Sequence, residues 1–288
     1  MTLNDYLKDA RTNGYALGHF NFATEDVLRG IVEACRDAGA PAVMVGTSEG
    51  EAEFVGMREA VAMVGAMREH FNYPIFLNAD HFKSFEKCKE AIDAGYGSII
   101  IDASKLPNEE NIVLTKQVVD FSRSVSKYRN IEISVEGELG YLRGSSEVQT
   151  KIEISAADYT KPEEVADFVS RTGVDRMAIV FGNIHGIVTD QEEKLDIEHF
   201  SKIVAAEPRP YYVLHGASGL KDEDVAASIK AGITNVHFNT ELRVAYRNAI
   251  DKVFHEKPNE TTPYKYLGPA VEEVKKLVSQ KIHVFMGK

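Results

Sequence analysis

Three of the nine histidines, His81, His185 and His215, close short apolar runs. Three imidazoles converging from separate strands are a familiar way to hold Zn²⁺ with one coordination position left open. Asp102 and Glu138 occupy comparable positions and offer the hard oxygen donors that a second divalent cation takes. Asp80, beside one candidate ligand, is placed to act as an acid or base. Gly186 follows His185, and Gly216-Ala217-Ser218-Gly219 follows His215. Small residues let backbone N–H groups approach an anion, and Ser218 adds a hydroxyl, so a phosphate fits beside the metal. Taken singly, each feature has a plain structural explanation: a strand-terminal histidine, a capped helix or a tight turn. Their joint occurrence is what points to chemistry.

Short apolar, β-branched runs alternate with helical patterns along the whole chain and would position these groups. The runs are Ala16–Phe20, Ala42–Gly46, Pro74–Asn78, Ser98–Ile101, Ile131–Val135, Arg176–Phe181, Tyr211–Leu214 and Thr234–Phe238. Near-continuous apolar strands joined by helices indicate parallel pairing. Helical spacing over Glu25–Ala38 ends at Gly39, and over Ser84–Ala94 at Gly95. Eight such units predict an α/β fold, a single-domain (β/α)₈ TIM barrel over residues 1–288, whose functional groups lie at the C-terminal strand ends. There the sequence places Asn21, Ser48, Glu136, His237, Asn239 and Thr240 beside the groups already named. A doubly wound open sheet is the competitor, but GASG is neither a dinucleotide nor a P-loop fingerprint. The long polar connection Gly144–Thr160 reads as a mobile loop over the site.

The balance of 33 basic against 44 acidic residues, net −11, lacks the footprint of a nucleic-acid binder. An anionic substrate must therefore be held locally. No stretch reaches the roughly 20 apolar residues that span a bilayer, and the opening residues lack the order of a secretory signal. A cytoplasmic location is the expectation, with no membrane partner. Cys35 and Cys88, without a CxxC pair, read as reduced core residues.

Asp80-His81, AIDAGYGSIIIDASKLPNEEN, VEGELG, the His-Gly at 185, LHGASG at 214–219 and NTELR at 239–243, in that order, resemble the class II, metal-dependent fructose- and tagatose-bisphosphate aldolases. The similarity runs from the opening GHFNFAT to the closing PYKYLGPAVEEVKKLV. The resemblance implies that His81, His185 and His215 are catalytic zinc ligands, and that Asp102 with Glu138 forms an alternate position for a second divalent or monovalent cation. It makes Asp80 the proton-transferring aspartate. It assigns Gly186, Gly216 and Ser218 to the phosphate of dihydroxyacetone phosphate, with Ala217 in the same segment, and Ser48 to a substrate-facing strand end. The implied reaction is reversible cleavage of a phosphorylated ketose, a ketose 1,6-bisphosphate such as fructose or tagatose bisphosphate, by a homo-oligomer. Zn²⁺ would stabilise the enediolate in place of a Schiff-base lysine, which the sixth strand lacks.

Four departures bear on the substrate. His237 stands where the family has a substrate-contacting asparagine, Asn78 where histidine is frequent and Phe82 where glycine is usual. In the long connection, counting puts Ser146 at the family's proton-moving glutamate, with Glu147 one place later; either Glu147 takes that catalytic role or the role is missing. Metal-assisted hydrolysis and non-catalytic phosphosugar binding compete as functions. A hydrolase gains little from a phosphate cradle beside the metal, and pure binding does not need Asp80.

Overall fold

The computed structural model describes residues 1–191 and 193–288. In chain order its strands are β1 (Leu17–Asn21), β2 (Val43–Ser48), β3 (Ile75–Phe82), β4 (Ser98–Ile101), β5 (Ser134–Leu139), β6 (Gly144–Gln149), β7 (Arg176–Ile179), β8 (His185–Val188), β9 (Tyr211–Leu214) and β10 (Ile233–His237). All but β6 and β8 close into a parallel barrel, in the order β1, β10, β9, β7, β5, β4, β3, β2. This is the predicted (β/α)₈ barrel. Helices cover it because their apolar stripes need the outer faces of the strands: in Glu25–Asp37, Val27, Leu28, Ile31, Val32 and Cys35 are buried. Cys35 and Cys88 are free thiols in the core, as expected.

An additional helix, Leu3–Asn13, closes the floor. A reciprocal Thr2–Asp5 capping box starts it, and Gly14 in the left-handed conformation ends it. Its Leu3, Leu7 and Ala10 pack on Leu17, Ala42 and Met44 at the starts of β1 and β2.

Two strands depart from the sequence expectation by more than two residues. The helix Asn108–Arg129 runs on to a left-handed Asn130, so the expected strand Ile131–Val135 begins instead at Ser134 and carries Glu136 and Glu138 inside its span. Strand β3 likewise continues past Asn78 through Asp80 and His81 to Phe82. Its pairing with β4 shifts register between Ala79 and Phe82, and His81 takes a φ of 54° there. The expected mobile loop is also part structured. Residues 144–149 form β6, which pairs in parallel with β8 as a two-stranded ribbon beside the barrel. Among the described residues no helix is long and apolar enough to cross a membrane.

The barrel interior is polar at its centre. Arg176, fully buried, donates to Glu136 Oε2 at 2.6 Å, to Ser134 Oγ at 3.2 Å and to Asn78 Oδ1 at 3.2 Å. A short hydrogen bond to Ser98 Oγ completes the layer. A buried guanidinium is tolerable only with its donors satisfied, and this layer satisfies them.

Candidate active site

A cavity of about 290 Å³ opens at the C-terminal ends of the strands, lined by Asp80, His81, Asp102, Glu138, His185 and His215 together with Asn21, Ser48, Gly186, Gly216, Ser218, His237, Asn239 and Thr240. The residues selected from sequence therefore converge on one site, with three exceptions, the first being Glu136, which is buried behind His215 and does not border the cavity. Ala217 is buried in the hydrophobic core, and its N–H donates to the His237 carbonyl at 3.4 Å. Glu147 is exposed and does not border the cavity. Successive side chains in a strand point to opposite faces, so β6 turns Ser146 inward and Glu147 outward. Ser146 is held there by Thr240 Oγ1 at 3.1 Å and by Arg243, which donates to its Oγ at 3.0 Å and to its carbonyl.

Hydrogen bonds orient two of the histidines. His215 Nε2 donates to the buried Glu136 Oε1 at 2.7 Å, leaving Nδ1 toward the cavity. His81 Nδ1 lies 3.2 Å from Asp102 Oδ2 and 3.3 Å from Glu138 Oε2, leaving Nε2 toward the same point. These two free nitrogens are 2.9 Å apart. Nitrogens so close, each with its other ring position backed by a carboxylate, need a cation between them, either a shared proton or a metal ion. The His185 ring stands edge-on, with its centroid 5.0 Å from that of His81 and 6.3 Å from that of His215. His81, Glu138 and His185 also form a set of donors close enough to share an ion. The donor set thus fits a divalent cation, with nitrogen ligands that suit Zn²⁺ and carboxylates alongside.

The electrostatics agree. Burial opposes the charged form of Asp102, but the His81 and Ser104 hydrogen bonds outweigh it and keep this carboxylate well below its usual range. Burial and the Asp102 charge raise Glu138. For His185, burial first and the neighbouring His81 and His215 second push the pKa down to about 3, leaving a neutral imidazole of the kind a metal binds.

Asp80 sits one residue from this cluster. Its Oδ2 accepts from Asn21 Nδ2 at 2.8 Å, while Oδ1 is buried without a hydrogen bond. Burial raises its pKa, but the neighbouring His81, His19 and His215 imidazoles together with the Asn21 hydrogen bond prevail, so it is held low. Asn21 also donates to Glu51 Oε2 at 2.8 Å, the oxygen that accepts from Ser48 N and Oγ. Ser48 therefore caps the helix Glu49–Val55 while facing the cavity.

The turns after β8 begins and after β9 hold glycines for steric reasons. A Cβ on Gly216 would lie 1.9 Å from the Ile184 carbonyl oxygen, and one on Gly186 would lie 2.3 Å from those of Ser145 and Glu147. Both have positive φ, 71° and 91°. Ser218 Oγ accepts from Glu241 N at 3.3 Å, close to the start of the helix Thr240–Glu256. Sequence reasoning missed the cations that border the cavity, Lys83, Lys105 and Arg243, which put positive charge at the rim in a chain of net charge −11. Lys83 was two places beyond the Asp80-His81 pair, and that proximity was the available signal.

Sequence reasoning also missed His19. It stacks on His237 with ring centroids 3.7 Å apart and accepts from Asn78 Nδ2 at 3.1 Å. Its edge reaches over Gly46, where a Cβ would lie 2.4 Å from Nε2. Burial and the neighbouring His237 ring hold His19 well below the ordinary histidine pKa.

The family model for class II fructose-bisphosphate aldolase matches residues 1–288. A fructose-bisphosphate aldolase of Staphylococcus epidermidis is 36% identical over 99% of this chain and 96% of its own length. One from Staphylococcus aureus is also 36% identical, with the same coverage. Among solved structures, the YdjI aldolase of Escherichia coli K12 superposes with a TM-score of 0.84 at 30% identity, covering 98% of this chain and 96% of that one. The fructose-bisphosphate aldolase of Campylobacter jejuni, at 18% identity and a TM-score of 0.80, covers 98% of this chain and 93% of its own and shows the fold alone. Matched along its entire length and at this identity, the chain belongs to the class II fructose-bisphosphate aldolase family, and it is a lyase.

Proposed function

We propose that this enzyme reversibly cleaves a phosphorylated ketose to dihydroxyacetone phosphate and an aldehyde, using a divalent cation, Zn²⁺, held by His81, His185 and His215. The observation that carries the reading is the pair of free histidine nitrogens 2.9 Å apart, each backed by a carboxylate, with an unpartnered Asp80 oxygen beside them. Bound there, the ion supplies Lewis-acid polarisation of the ketone. Asp102 and Glu138 orient His81, and they offer oxygen donors for a second cation position. Gly186, Gly216 and Ser218 cradle the phosphate, with Lys83, Lys105 and Arg243 supplying positive charge at the rim. Asn21, Asn239 and Thr240 supply polar contacts to the sugar. Asp80, a carboxylate steadied by Asn21, takes the proton from the C4 hydroxyl as the C3–C4 bond breaks. Glu147, exposed on the outer face of β6, has no part in this scheme, and Ser146 takes the inward place. The test is release of dihydroxyacetone phosphate from a panel of ketose phosphates, including fructose and tagatose 1,6-bisphosphates, before and after chelation and with Zn²⁺ restored. Full activity after metal removal, or a covalent adduct trapped by borohydride, would overturn it.

A further inference from the structure

The floor of the cavity beneath Asp80 holds two stacked imidazoles, and amide side chains determine which of their nitrogens carry protons. Asn235 Nδ2 donates to the Leu17 carbonyl at 3.0 Å, which turns its Oδ1 toward His237. His237 Nε2 lies 3.1 Å from that oxygen and must therefore be the protonated nitrogen. Asn78 is oriented in the same way. Its Oδ1 accepts from Ser98 Oγ at 2.6 Å and from Arg176, so its Nδ2 donates to His19 Nε2. His19 is thus a neutral ring, and its stack on His237 holds the second ring in place.

With Nε2–H committed to Asn235, His237 presents Nδ1 to the cavity as a bare acceptor. It lies 3.5 Å from Asp80 Oδ1, which is itself buried without a donor. Two acceptors converge, and among the described residues none stands between them to donate. A buried acceptor left unpaired costs stability, so the arrangement is complete only when a ligand brings donors. Adjacent hydroxyls on a sugar chain supply two donors at this spacing.

We propose that His237 is a specificity-determining residue that accepts a hydrogen bond from the hydroxyl next to the one deprotonated by Asp80, on the aldehyde half of the substrate. The ketone and the hydroxyl beside it are needed at the histidine cluster, which leaves the hydroxyl on the far side of the reacting carbon for His237. The enzyme is then selective for 2-hydroxyaldehydes in the condensation direction. An amide at this position can rotate to offer either a donor or an acceptor, whereas His237 is restricted to accepting. The inference rests on the aldolase reading above.

The test runs the zinc-loaded enzyme in the synthetic direction, condensing dihydroxyacetone phosphate with glycolaldehyde or with propionaldehyde, which has the same number of heavy atoms but a methyl in place of the hydroxyl. Wild-type enzyme is expected to prefer glycolaldehyde by about tenfold or more in kcat/KM, since a site built around a hydroxyl leaves a polar group unpaired when it is missing. His237→Phe keeps the stacked ring and removes the acceptor, so the preference should fall toward unity. His237→Gln retains an acceptor oxygen and should keep part of the preference, which preserves the test if the Phe variant folds poorly. A purely structural role would slow both aldehydes alike and leave the ratio unchanged in both variants; that result overturns the proposal. Nitrogen NMR of histidine-labelled enzyme, assigned by loss of the His237 signal, should show Nε2 protonated and Nδ1 bare, and the opposite tautomer would overturn it independently. Wild-type enzyme that condenses neither aldehyde would remove the aldolase reading and this inference with it, whereas active enzyme with an unmoved ratio removes this inference alone.

Discussion

His81 stands on the barrel strand β3 and His215 directly follows the barrel strand β9, whereas His185 stands on the ribbon beside the barrel. The first two have one ring nitrogen engaged by a carboxylate, and His215 connects through Glu136 to the buried Arg176 layer. His185 meets them edge-on from β8, whose own partner β6 is largely exposed. One side of the site is pre-organised by the interior of the fold, and the other is brought to it by a segment with little core of its own. The difference is one of support: two candidate ligands are fixed in direction by buried carboxylates, and the third depends on a ribbon.

The sharpest way to break this comparison is to remove one histidine from each side. His215→Ala and His185→Ala should both strip zinc and abolish cleavage, but with all proteins compared metal-free only His215→Ala should lower the Tm, because Glu136 loses a buried hydrogen bond worth about 1–3 kcal/mol. Equal Tm losses, read by calorimetry, would show that the ribbon is as structural as the barrel. Asp80→Ala is expected to retain zinc while kcat falls by about 10²- to 10⁴-fold, measured against metal content by elemental analysis. Glu136→Gln, which weakens the support behind His215, should reduce zinc affinity about 10- to 100-fold in a competition with a chelating dye.

A smaller effect follows from His19. Its folded pKa is depressed and its unfolded value is near 6.5. Below that pH the unfolded chain binds the extra proton first, so the stability present above pH 6.5 is lost progressively on acidification. His19→Gln should flatten this part of the stability profile in urea titrations between pH 7 and 5. The smallest effects are expected on the ribbon: Ser146→Ala should change kcat/KM by a few-fold at most, about the scale of one neutral hydrogen bond, and Glu147→Ala should leave it unchanged. A large loss from Glu147→Ala would mean that β6 shifts register during turnover.

Much of the barrel was legible because its strands are apolar runs separated by helices, and Asp80, His81, His185 and His215 stand at or near the ends of such runs. The ribbon was not. Its β6 segment, GSSEVQ, carries no apolar alternation, and its partner lies some forty residues downstream. Glu147 shows what counting along such a segment leaves open, since a one-residue shift exchanges the inward and outward faces of a strand. The Arg176 layer was invisible for another reason. Periodicity arguments expect aliphatic side chains inside a barrel, and they cannot see that Glu136, Ser98, Ser134 and Asn78 satisfy a guanidinium from three different strands.

Gly46 carries a consequence for how this site can change. The His19 ring lies where a Cβ of residue 46 would be, and that ring is held by the His237 stack and the Asn78 hydrogen bond rather than free to swing away. Positions 19 and 46 are therefore epistatic, and the order of substitution matters. Residue 19 must shrink before residue 46 can grow, and a library that randomises position 46 in the present background should return almost only glycine. Once His19 is replaced by alanine, the same library should open to small side chains, so any repacking around His237 runs through a position that does not border the cavity.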